Sequence, residues 1–87
     1  MKNIQISVPK YNDCIQLNWE EDFKIKVSND CDALMIEANK GGLVSLARHL
    51  LLLAQEDVPN GSHIHLDEFN SLEDNSIGLI LSKREDL

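Results

Sequence analysis

Positive charge is scarce in this chain. Its 87 residues carry 8 Lys and Arg against 15 Asp and Glu, a formal net charge of −7. Neutralising a phosphate backbone needs a basic patch, so no nucleic-acid partner is expected. Long apolar runs are also missing. The longest, "HLLLLA" at 49–54, is far below the roughly 20 residues that a membrane-spanning helix needs. No membrane partner is therefore expected. The opening "MKNIQISVPKYND" has no apolar stretch of the kind a secretory signal carries, which points to a cytoplasmic protein. Cysteine is limited to Cys14 and Cys31. Their spacing fits neither a metal knuckle nor a disulfide framework, so both are expected to be free thiols.

Recognisable catalytic motifs are absent as well. Cys14, Cys31, Ser45 and Ser62 are available as nucleophiles beside three histidines, but none sits in a nucleophile elbow. "KGGL" at 40–43 places its lysine before the glycines and lacks the spacing of a phosphate loop. The expectation is a protein that is not an enzyme and needs no cofactor. The length predicts a single domain over 1–87 with one core, built from one helix layer and one sheet layer.

What is present is alternation. Ile4, Ile6 and Val8 alternate with polar residues up to Pro9, the pattern of a half-buried strand. Ile15, Leu17 and Trp19 repeat it, and so do Phe23, Ile25 and Val27. The short "EED" between the last two runs suggests a hairpin. Trp19 shares a face with Ile15 and Leu17, which favours a core anchor over an exposed hot spot. "ALMIEA" at 33–38 makes a fourth, central strand. "SHIHLDEF" and "SIGLILS" make two more, joined by the turn-forming "NSLEDN".

Between them the period changes. Leu43, Leu46, Ala47, Leu50, Leu53 and Ala54 follow helical spacing and are predicted to face the core. Ser45, His49, Leu52 and Glu56 would then point outward. Asn39 is a natural N-cap. Gly41 and Gly42 weaken a helix, so they imply a close backbone approach or a ligand at its start. "VPNG" at 58–61 ends it. The predicted fold is α+β and two-layer. A mostly antiparallel sheet of about six strands, in the order β-β-β-β-α-β-β, carries one helix across one face.

His63, His65 and Asp67 fall on one face of a predicted strand, opposite Ile64 and Leu66. Side chains two apart on a strand lie about 7 Å from one another. They converge poorly on a single ion, and zinc needs about four ligands. The solvent-facing side of a sheet is the plain reading and a contact stripe for a partner the functional one, and no metal is expected.

The second half of the chain resembles a known family. The features are "EAN" at 37–39, "GL" at 42–43, "LA" at 46–47, "HLLLLA" at 49–54, "VPNGSHIHLDE" at 58–68 and "NSLEDNS" at 70–76. Together they resemble the immunity protein 32 family of bacterial polymorphic-toxin systems, over about 36–83. The resemblance implies a small α+β protein that binds a cognate toxin domain stoichiometrically and blocks it. Many bacterial toxin domains act on nucleic acid through basic clefts, and an acidic inhibitor would match such a cleft. The expected contact strip is Asp67, Glu68, Asn70, Glu73 and Asp74, with His63 and His65 beside it. The alternative is a non-catalytic interaction module, or a small homo-oligomer such as a homodimer, pairing through its sheet.

Overall fold

The computed structural model describes residues 3–87. Among them it contains two antiparallel hairpins and one helix. Strand β1 (Ile25–Asp30) pairs with β2 (Ala33–Ala38), and helix α1 (Lys40–Ala54) follows. Strand β3 (His63–Leu66) then pairs with β4 (Leu79–Ser82). The turn of the first hairpin is two residues long. Cys31 and Asp32 hold it at φ 49° and 69°, both left-handed, as a type I′ turn requires.

The expected single sheet of six strands, ordered β-β-β-β-α-β-β, is not what forms. The protein is α+β, but its four strands make two separate two-stranded sheets. The runs Ile4–Val8 and Ile15–Trp19 fall in no strand and join no ladder. β1 pairs with β2 rather than with the run before it. The physical reason lies in what alternation reports. It marks extended chain buried on one side, and side-chain anchors produce that as readily as a neighbouring strand.

Here the anchors come from α1. The Arg48 guanidinium donates to the carbonyl oxygens of Ser7 (2.8 Å) and Asn18 (3.1 Å) and pairs with Glu20 at 2.7 Å. Gln55 donates to the Pro9 carbonyl and accepts from the Tyr11 amide, both at 2.8 Å. Ser45 Oγ accepts from the Glu20 amide at 2.9 Å. The segment 7–20 is thereby strapped along the polar flank of the helix.

That strap rotates the helix relative to expectation. Ser45, His49 and Leu52 are buried, while Leu43, Leu50 and Leu51 stand 55%, 52% and 49% exposed. Leu46 and Leu53 are buried as expected. These two border both arcs of the helix, so apolar spacing alone could not choose between them. Trp19 packs inward from the strap, stacked on Phe23 at 4.3 Å and edge-on to His49 at 4.5 Å.

Asn39 is the N-cap. Its Oδ1 accepts from the Gly42 amide at 2.8 Å and also from the Lys24 amide at 2.9 Å. Its Nδ2 donates to the Asp22 carbonyl at 2.7 Å. The glycines that follow serve a close approach. A Cβ on Gly42 would collide with the Lys24 carbonyl oxygen and sit 2.9 Å from Ile25 Cγ1. At the other end Lys83 Nζ donates to the Gln55 and Val58 carbonyls, at 2.7 and 2.9 Å. It supplies the positive charge that a helix C-terminus favours. The core joins Ile25 and Val27 of β1, Leu46 and Leu53 of α1, Val58, Ile64, Leu66, Leu72 and Leu79.

Candidate functional site

The second hairpin has the alternation its sequence predicts. Ile64 and Leu66 are buried, and His63 and His65 are exposed. Their rings meet edge-on with centroids 4.8 Å apart. His63 Nδ1 lies 3.1 Å from the Gly61 carbonyl oxygen. The strand ends at Leu66, short of Phe69. Asp67 therefore begins a loop, and its carboxylate is engaged by amides further along that loop. Among the described residues, no group of three His, Cys, Asp or Glu side chains is placed to hold a metal ion.

The loop from Asp67 to Ser76 is held in shape by its own polar groups. Asp67 Oδ1 accepts from the amides of Phe69 (2.9 Å) and Asn70 (3.1 Å). Such side-chain turns are the usual means by which Asp fixes a local bend. The Asp67 carbonyl accepts from the Asn70, Ser71 and Leu72 amides. Asn70 returns the favour, accepting from the Asp67 amide and donating to the His65 carbonyl. Glu68 Oε2 accepts from the amide of Asn75 at 2.9 Å, and Asn75 itself sits at φ 69°.

The far half of the loop docks on the free edge of β1. The Glu73 amide donates to the Ile25 carbonyl (2.8 Å) and the Ile77 amide to the Val27 carbonyl (2.9 Å). The Val27 amide donates to Ser76 Oγ at 3.1 Å. Leu72 is buried in the core. The loop is thus clamped at both ends and at its centre.

Five of the seven expected contact residues come together in this loop: Asp67, Glu68, Asn70, Glu73 and Asp74. The first three form its internal bonds. Glu73 and Asp74 are exposed. Among the described residues, none of the four carboxylates enters an ion pair. His63 and His65 lie on the outer face of the hairpin, where His65 is paired with Ile80 and His63 with Ser82.

The sequence reading missed Phe69. It is 91% exposed between Glu68 and Asn70. A large ring left this open on an ordered loop is unusual, because aromatic burial is among the stronger contributions to folding. The signal was a lone aromatic in an otherwise polar stretch, masked by extending the strand to residue 69.

The family model for immunity protein 32 matches residues 33–84, more than half of the chain. The chain belongs to the immunity protein 32 family. The matched span opens at the first residue of β2 and takes in α1, both strands of the second hairpin and the loop between them. In this member of the immunity protein 32 family, β1 and the strap along the helix lie ahead of the matched span. No curated protein and no solved structure matches the chain. Among the described residues, no helix is long and apolar enough to cross a membrane.

Proposed function

We propose that this protein neutralises a cognate toxin domain by stoichiometric binding, without catalysis, in the cytoplasm of a toxin-producing bacterium. The contact surface is the acidic loop 67–76. Phe69 is its apolar anchor, and Asp67, Glu68, Glu73 and Asp74 form a charged rim. His63 and His65 flank it on the outer face of the hairpin. The observation that carries this reading is the exposed Phe69 on a loop whose backbone is pinned at many points. Interfaces draw most of their affinity from a few aromatic anchors ringed by polar contacts. A preordered loop loses little entropy on binding.

The rim selects a partner surface rich in Lys and Arg and speeds its approach. The net charge of −7 acts in the same direction at longer range. Membership of the family supports the role, and the loop supplies the place.

The test is co-expression of the toxin domain with variants of this protein. Phe69→Ala should abolish protection while leaving the melting temperature unchanged, because the ring touches little of its own chain. Reversing the charge at Asp67, Glu68, Glu73 and Asp74 should slow association and remove its acceleration at low salt, because the net charge of −7 is then cancelled. If both variants protect as well as wild type, the loop is not the contact surface.

A further inference from the structure

Beyond Lys40 in its first turn, the outward face of α1 is apolar. Leu43, Val44, Ala47, Leu50, Leu51 and Ala54 occupy one continuous arc. Ser45, Arg48 and His49 are turned in toward the strap. Soluble helices ordinarily show the reverse arrangement. An exposed apolar patch of this kind marks a surface that is covered in use.

Two features identify what covers it. The first is charge. Lys40–Ala54 contains no Asp or Glu in a chain of net charge −7. Two copies repel one another elsewhere, and this face lets them meet without opposing carboxylates. The second is symmetry. Ala47 is the midpoint of the 15-residue helix and also lies at the centre of the apolar arc. Val44 and Leu50 flank it three residues away, Leu43 and Leu51 four residues away, and Lys40 and Ala54 seven residues away. Such positions share a face on any helix; here all but Lys40 are apolar, so an antiparallel copy crossing at Ala47 meets apolar side chains with apolar side chains.

We infer that the outward face of α1 is a self-association surface on which a second copy packs its own α1, antiparallel, about a two-fold axis at Ala47. Leu43 of one copy then meets Leu51 of the other, and Val44 meets Leu50. The small Ala47 side chains allow the helices to approach closely at the crossing. Lys40 comes level with the end of the partner helix, next to the acids Glu56 and Asp57 that follow it. Antiparallel packing also sets the two helix dipoles head to tail. The surface is the helix rather than the sheet, and it does not depend on the toxin reading.

Sedimentation and light scattering on the purified chain, from micromolar to near-millimolar, provide the test. The expected result is a two-chain species that tightens as salt screens the net charge. Ala47→Glu and Leu50→Lys should each weaken it at least tenfold with an unchanged circular dichroism spectrum. Ala47→Cys, in a Cys14→Ser and Cys31→Ser background, should form an interchain disulfide. Helices packed about 8–10 Å apart bring facing Cα atoms within reach of that bond. Lys10→Cys in the same background should not form one. A monomer at every concentration would overturn the inference, as would a dimer indifferent to both helix substitutions. Loss of toxin protection by helix variants of a monomeric protein would also overturn it, assigning the face to the toxin instead.

Discussion

His49 offers the sharpest test of the packing between α1 and the strap. Its side chain is 0% exposed, and neither ring nitrogen has a hydrogen-bond partner among the described residues. The neutral ring must carry at least one N–H donor, and Trp19 meets the ring edge-on without supplying a hydrogen-bond partner. Leaving a buried polar group unsatisfied costs about 1–3 kcal/mol. His49→Leu removes that cost and roughly conserves volume. It also forfeits the ring–ring contact with Trp19, worth about 0.5–1.5 kcal/mol. The balance favours the leucine by about 1 kcal/mol, which for a domain of this size is roughly 4–8 °C in Tm.

The same substitution alters the pH response. Burial pushes the His49 pKa down from its usual value, and the neighbouring Arg48 charge pushes it further in that direction. The Arg48 charge is itself paired with Glu20. A histidine whose folded pKa is depressed binds a proton more readily in the unfolded chain. Its stabilising state is therefore intact above the unfolded pKa near 6.5. As pH falls below that value, stability declines by up to about 1.4 kcal/mol per pH unit until the folded pKa is reached. Thermal melts of wild type and variant at about pH 7.5 and about pH 5.5 separate the effects. The Tm gain should be present at the higher pH and larger at the lower. A leucine variant less stable at neutral pH, or a difference between the two proteins independent of pH, would refute the claim of a neutral, unpartnered ring.

Two further predictions concern the start of the helix. Asn39→Ala removes the N-cap bond and both ties to 22–24, and should cost about 1–2 kcal/mol in a denaturant titration, the exposure of the site limiting the loss. Gly42→Ala gains roughly 1 kcal/mol in helix propensity but forces the helix off Lys24, Ile25 and Ala38. It should destabilise by about 1–3 kcal/mol overall in the same titration.

The parts of this fold that could be read from sequence are those encoded locally. Asn39 caps the helix start as its chemistry dictates and the glycines serve backbone approach, whereas the helix ends at Ala54, ahead of "VPNG". The inward positions of Ile64 and Leu66 follow from alternation within a hairpin. Long-range choices were not encoded in that way. Nothing near Ile6 or Leu17 says that an extended run will be bound by Arg48 and Gln55 from a helix some thirty to forty residues later. The orientation of the helix depended on that same remote partnership, so Leu52 and Leu43 exchanged places. In the candidate loop, the acids were visible as composition. Phe69 was not singled out, because its exposure follows from where the strand stops.

The strap along α1 has an evolutionary consequence. Arg48 and Gln55 hold residues 7, 9 and 18 by their carbonyl oxygens, and Ser45 and Gln55 hold residues 20 and 11 by their amides. Such a grip constrains the path through backbone atoms, while Tyr11, Ile15, Leu17 and Trp19 pack on the core and Glu20 pairs with Arg48 through its side chain. At 11 and 20 an amide hydrogen is needed, which bars proline there. The strap thus alternates fixed inward residues with exposed ones, Asn12, Gln16 and Asn18 among them, whose side chains can drift while its course stays the same. Those exposed positions can change without refolding the scaffold beneath.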